Sequence, residues 1–241
     1  MKSLKIILLI LLTGNFAFGQ TKDTTSIKKT HNKEIFGANK THYVYAYFNF
    51  MFATPPKEGT DADIFYGKSH SVSYGVRYRF KIADFFAVGA GLNYTYYAWH
   101  FKQEDGKKIP TSNIYDKEKL KINTLGSDVF LRFNFGKRNN TVGNYIDMGG
   151  YGDWDFYDSR VFTNFVNNTN PDGFSTNTGI NSKLNYLNKI NYGAEVRIGY
   201  GKVVLFTKYR LSDMFTNRYK EAISNTELPR LSVGVEIGFH K

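Results

Sequence analysis

From residue 43 onward the chain alternates apolar and polar side chains with a period of two, the spacing of a strand whose two faces meet different surroundings. Val72, Tyr74, Val76, Tyr78 and Phe80 share one face, while Ser71, Ser73, Gly75, Arg77 and Arg79 share the other. Phe86, Val88, Ala90, Leu92, Tyr94 and Tyr96 oppose Gly89, Gly91, Asn93 and Thr95; Val129, Leu131, Phe133 and Phe135 oppose Gly126, Asp128, Arg132 and Asn134. Ile146, Met148, Trp154 and Phe156 leave Tyr145, Asp147, Gly149, Tyr151, Asp153 and Asp155 opposite. Tyr192, Ala194, Val196 and Ile198 oppose Gly193, Glu195, Arg197 and Gly199. Val203, Leu205, Thr207 and Tyr209 oppose Lys208, Arg210 and Ser212, although Val204 and Phe206 blur that strand. Val233, Val235, Ile237 and Phe239 close the series against Arg230, Ser232, Gly234, Glu236 and Gly238. With the aromatic run over 43–52, eight strands are predicted.

Their connections alternate in length. Long ones cover 53–68, 102–119, 158–183 and 216–227; short ones cover 81–84, 136–142 and 201–202. Tight turns alternating with longer loops predict an all-β fold, an eight-stranded antiparallel up-and-down transmembrane β-barrel with both chain ends in the periplasm. The competing fold is a soluble barrel of lipocalin type, which buries its apolar face and wets its charged one. Three features favour the membrane. Several strands run past ten residues, enough for a tilted span. Aromatic side chains gather toward strand ends, Tyr78, Phe80, Phe86, Phe133, Phe135, Tyr200 and Phe239 on the periplasmic side and Phe50, Tyr94, Tyr96, Trp154 and Phe156 on the outer side, as two interfacial belts would require. The polar face carries both signs of charge: Arg77, Arg79, Arg132, Arg197, Lys208, Arg210 and Arg230 against Asp128, Asp147, Asp153, Asp155, Glu195 and Glu236. In a lumen these can pair, whereas one arginine at a lipid-facing midplane costs roughly 2–4 kcal/mol.

Lys2 and Lys5, the apolar run over 6–12 and the sequence Ala17-Phe18-Gly19 have the order of a secretory signal peptide, expected over residues 1–19. Removing it leaves 30 basic and 21 acidic residues, a charge of +9 rather than the +11 of the whole 241-residue chain. Residues 20–41 are polar and lysine-rich, expected as a flexible periplasmic tail, with the barrel over 42–241. An aromatic content of 17% beside a mean hydropathy of −0.41 fits strands with one aromatic face better than apolar helices. The absence of cysteine excludes disulfides, thiolate metal sites, a cysteine nucleophile and a lipid-anchored cysteine.

The runs GGYGDWDF (149–156), LNYLNKINYGAEVRIGYGK (184–202), KYRLSDMF (208–215) and ELPRLSVGVEIGFHK (227–241) resemble the small outer-membrane β-barrel proteins of the Bacteroidetes, the PorT-like group. The resemblance covers residues 42–241. It implies a bacterial outer-membrane barrel, in a group some of whose members are associated with protein secretion and gliding. It brings no catalytic motif, and the terminal Phe239-His240-Lys241 departs from a chain that ends on its aromatic residue.

Catalysis would need a nucleophile, a base and an orienting group together. His31, His42 and His240 fall in the tail, at a strand start and at the chain end; His70 and His100 near the outer rim are the only candidates for a lipid-modifying site, and period two sets His70 and Ser71 on opposite faces. Asp153, Asp155 and Asp158 lack the spacing of a calcium loop, so neither metal nor cofactor is expected. Strand charges and aromatics lie on opposite faces, which argues against nucleic acid; the excess positive charge suits outer-membrane lipid, lipopolysaccharide phosphates or an acidic protein partner at the surface or in the periplasm. Eight strands leave an interior that side chains fill. The expectation is a non-enzymatic, monomeric structural or interaction protein whose partners meet its loops, of which 164–181 is the largest, or its tail. The alternative is a narrow channel for ions or small solutes.

Overall fold

The computed structural model describes residues 35–55, 64–136, 139, 141–166 and 175–239. The expected signal peptide and residues 20–34 of the expected tail lie outside the described residues. Nine strands follow in order: β1 (His42–Ala53), β2 (His70–Lys81), β3 (Phe86–Phe101), β4 (Lys117–Phe135), β5 (Asn144–Val166), β6 (Ser175–Ser182), β7 (Ile190–Tyr200), β8 (Val203–Arg210) and β9 (Leu231–Phe239), with one short helix, α1 (Asn217–Ala222), between the last two. All pairings are antiparallel, and eight strands form a ring in chain order that leaves out β6. The ring closes between first and last strands, from Ala46↔Phe239 to Ala53↔Ser232. Such closure leaves the ring no open edge, the condition for crossing a bilayer with strands.

The alternation resolves as an apolar exterior and a polar interior. Leu92 is 65% exposed, Val129 64% and Ile190 69%, while Arg79, Arg132 and Arg197 are at most 1% exposed. A soluble barrel has the reverse arrangement, so the exterior is built for hydrocarbon.

The upper part of the molecule departs from the expected loops. Most of the connection over 158–183 is strand: β5 runs on to Val166 and pairs with β6 from Ser159↔Ser182 to Val166↔Ser175, a hairpin standing beyond the ring. A bulge permits this. Asn123 pairs with Tyr157 and Thr124 with Asp155, so Phe156 has no partner and the phase of β5 flips. Phe156 and Tyr157 both point outward, and Asp158 and Arg160 turn inward.

At the short-turn end the boundary of the tail moves. Residues 35–41 fold against the barrel: Ala38 is buried, Gly37 N–H donates to the His42 carbonyl (2.9 Å), and Lys81 Nζ donates to the Asn39 carbonyl (3.2 Å).

The assignment of faces is testable. Val129→Arg, at the outward midpoint of β4, is expected to lower the unfolding free energy in lipid vesicles by about 2–4 kcal/mol, measured by urea titration of tryptophan fluorescence.

Candidate functional site

Six strands send charges to one level of the lumen: Arg77 from β2, Asp128 and Arg132 from β4, Asp147 from β5, Glu195 and Arg197 from β7, Lys208 from β8 and Glu236 from β9. Arg77 reaches Glu236 at 2.5 Å and Asp128 at 3.3 Å. Arg197 lies 3.2 Å from Asp128, 3.2 Å from Asp147 and 2.7 Å from Glu195, whose other oxygen is 4.0 Å from Lys208. Arg132 grips Asp147 with two parallel bonds, Nε to Oδ1 at 2.7 Å and Nη2 to Oδ2 at 2.8 Å, and also donates to the Tyr45 hydroxyl at 3.0 Å. Four cations and four carboxylates thus form one connected, buried network of zero net charge. Balance matters here because a buried charge without a partner costs several kcal/mol.

Behind each cation lies an aromatic ring, and behind each ring a glycine. Arg77 sits 3.7 Å from the Tyr47 ring centre, Arg132 3.5 Å from Tyr145, Lys208 4.4 Å from Tyr151 and Arg197 4.5 Å from Phe130. Each ring faces a glycine directly across the ladder: Tyr47↔Gly75, Tyr145↔Gly199, Tyr151↔Gly193 and Phe130↔Gly89. A Cβ at Gly199 would stand 2.2 Å from the Tyr145 ring, and one at Gly89 2.2 Å from Phe130. The glycines let rings lie flat on the inner wall, where their faces attract the cations.

The remaining predicted lumen residues sit at other heights. Arg79 points inward lower down and donates to the Lys40 carbonyl at 2.8 Å, tying the residues before β1 to the wall. Asp153 accepts a bond from the Tyr97 hydroxyl at 3.0 Å, and Asp155 one from Asn191 Nδ2 at 3.3 Å. Arg210 and Arg230 belong to the loop over 211–230 instead of the lumen network. Arg210 donates to the carbonyls of Ser212 and Leu228 and pairs with Glu227 at 3.3 Å; Arg230 donates to the carbonyls of Arg210, Leu211 and Ser212 and pairs with Asp213. Alternation gives the face of a residue but not its partners: these two border the same cavity as Asp153 and Asp155, while their hydrogen bonds run to the loop over 211–230.

Apolar layers close the charged level at both ends. At the short-turn end Ala38, Tyr43, Tyr45, Val142, Tyr145 and Val204 pack together, which accounts for Val204 breaking the pattern of its strand. At the long-loop end every long connection contributes to one cap, including Ile64, Ile109, Leu187, Phe215 and Leu228, over Trp99 and Phe101 of β3 and Leu120 and Ile122 of β4. Between network and cap lies a cavity of about 30 Å³, bordered by Asp153, Asp155, Lys208 and Arg210, space for one or two waters.

The inward rings of Tyr47, Tyr145, Tyr151 and Phe130, and an ion cluster in the cap, were not expected as site residues. In that cluster Glu118 meets Lys107 at 2.5 Å and Arg160 at 2.5 Å. The inward glycines carried a signal for the rings, readable once cross-strand register is known. Buried cation–ring contacts also correct the expectation that charges and aromatics lie on opposite faces; inside a filled lumen, however, they are closed to nucleic acid.

Among the described residues no histidine side chain bonds to a serine hydroxyl or a carboxylate. His42 Nδ1 meets the Tyr78 hydroxyl at 2.7 Å and His70 Nδ1 the Lys68 carbonyl at 2.8 Å, while only the backbone N–H of His100 reaches a serine, Ser69, at 3.0 Å. Among the same residues no group of three or more His, Asp or Glu gathers as metal ligands would.

Two predictions follow from these contacts. Arg132→Ala is expected to cost about 3–5 kcal/mol, because it removes the two parallel bonds to Asp147, leaves that buried carboxylate with Arg197 alone and gives the network a net negative charge, read as a lowered urea midpoint in detergent micelles. Asp213, in the surface loop, accepts bonds from Lys220 (2.8 Å) and Arg230, which hold its carboxyl below the usual carboxylate range. Its contribution is complete above an unfolded pKa of about 3.9 and is lost as pH falls through the lower folded value. Amide protection over 211–230 should therefore drop in acid, and Asp213→Asn should abolish that pH dependence.

A family model described as outer membrane protein beta-barrel domain matches residues 12–227, a span that takes in β1 to β8 and ends before β9. Comparison with curated proteins finds no match.

Proposed function

The chain belongs to the outer membrane β-barrel domain family and resides in the bacterial outer membrane, and from that premise we propose that it is a non-conducting, non-enzymatic structural or interaction protein. The observation that carries this reading is a lumen filled at three successive levels: an apolar layer at the short-turn mouth, a neutral ion network, and an apolar cap made by every long connection. A channel needs a continuous wet path, and the cavity between network and cap has room for one or two waters. Chemistry on lipid needs a nucleophile beside its base, and His70 and His100 are engaged with the backbone or with none of the required groups.

Function then falls to the surfaces. The β5–β6 hairpin projects beyond the ring and leaves one edge of β6 open, a form suited to contact with another protein. Short turns belong at the periplasm and long connections at the cell surface in barrels of this kind, so the hairpin and cap face outward. Within the family the reading is a PorT-like barrel of the Bacteroidetes, supported by the runs over 149–156, 184–202, 208–215 and 227–241. It acts as a monomer, since the ring is complete with its own strands.

Planar-bilayer recording tests the sealed lumen. The purified protein is expected to give no resolvable single-channel steps in molar potassium chloride; steady unitary steps from homogeneous protein would establish the narrow-channel alternative.

A further inference from the structure

On the outward face of β2–β4 the polarity of the wall changes abruptly near the long-loop end. An aromatic girdle comes first: ring centres are 5.2 Å apart for Tyr74 and Tyr94, 6.2 Å for Tyr94 and Phe156, and 6.3 Å for Trp154 and Phe156, and the Tyr94 hydroxyl donates to Asn123 at 2.5 Å. Such a girdle marks the edge of the hydrocarbon. Beyond the cross-strand row Tyr96↔Asn123, the next outward positions are Ala98↔Lys121 and then His100↔Lys119, with His70 beside Ala98. Each step of two residues advances about 7 Å along the strand, or about 5 Å in height at the roughly 45° tilt of a transmembrane strand, which sets these lysines at the height of lipid head groups. Lys117 and Lys68 flank them, each over a phenylalanine ring.

Among the described residues Lys68, Lys117, Lys119 and Lys121 form no ion pair, whereas Lys102, Lys107, Lys189 and Lys220 each meet a carboxylate. Burial, and then the neighbouring charge of Lys119, disfavours a charged His100 ring, and burial with the charge of Lys121 does the same to Lys119. Like charges set side by side on a sheet repel. The wall carrying them is rigid, because the inward residues that alternate with the lysines are buried, Glu118 in its ion cluster and Leu120 and Ile122 in the apolar cap.

We propose that this face binds the phosphate groups of a phosphorylated glycolipid of the outer leaflet, with Lys117, Lys119 and Lys121 as the principal anion ligands and Lys68, His70 and His100 at their side. Acyl chains would lie along the outward wall below the girdle while phosphate meets the lysines above it, the two-part chemistry that separates a lipid from a soluble anion. The proposal rests on the orientation adopted above, with long connections at the cell surface.

The test uses the purified full-length protein in detergent, with bis-phosphorylated lipid A and lipid A stripped of both phosphates as probes, followed by native mass spectrometry. The unaltered protein is expected to prefer the phosphorylated lipid by at least about tenfold. A triple variant, Lys117→Gln with Lys119→Gln and Lys121→Gln, should lose that preference while keeping the fold, shown by unchanged circular dichroism, because all three side chains point outward. Equal binding of the two lipids, or an undiminished preference in the variant, overturns the site. Bilayer recording separates this from the reading above: a silent barrel without phosphate preference sinks the lipid site alone, and a conducting barrel that keeps the preference sinks the sealed lumen alone.

Discussion

The interior of an eight-stranded ring has to be filled by the side chains of its own walls, and in a bilayer those walls spend their apolar residues on the outside. Polar and charged groups are left to fill the space, so their charges must cancel among themselves. Arg77, Arg132, Arg197 and Lys208 balance Asp128, Asp147, Glu195 and Glu236 in one connected set of contacts. The other features of the lumen serve that balance. Rings of Tyr47, Tyr145, Tyr151 and Phe130 support the cations, and glycines directly across the ladder give the rings room.

The constraint ends where the bilayer ends. On β4, positions that face the lumen carry Asp128 and Arg132 at membrane height but Leu120 and Ile122 above it; outward positions change from Val129 and Leu131 to Lys119 and Lys121. One strand is thus inside-out in its lower part and ordinary in its upper part. The exchange makes an apolar cap possible, since water above the membrane again drives apolar side chains inward. It also leaves a row of cations on a rigid wall immediately over the aromatic girdle.

Alternation made the eight ring strands legible, and both faces of most of them, as β2, β7 and β9 illustrate residue by residue; the faces of β1 and part of β8 were not. Height along the strand was not legible, because a period-two pattern repeats without marking depth. Nothing in the pattern therefore marked that Arg210 and Arg230, which border the lumen cavity beside Asp153 and Asp155, also brace the loop over 211–230. The bulge at Phe156 hid the continuation of β5 and with it the β5–β6 hairpin, since one extra residue reverses the alternation on which strand reading depends. Tyr145 and Tyr151 fell on the polar face by alternation, but Tyr47 and Phe130 were missed for a related reason: each is explained only by its cross-strand glycine, a relation set by register. Polar composition suggested that the tail reached Thr41, but Ala38 finds an apolar layer at the mouth of the barrel.

The most direct test is a double-mutant cycle on Arg77 and Glu236, which meet at 2.5 Å from β2 and β9, the strands on either side of β1. Arg77→Met, Glu236→Leu and the double variant would be unfolded in urea in the same lipid vesicles. A balanced, dry lumen predicts a coupling energy of roughly 1–3 kcal/mol, with the double variant more stable than the sum of the single losses implies. Strictly additive losses would contradict it, because they would mean that water or ions, rather than the opposite charge, satisfy each group.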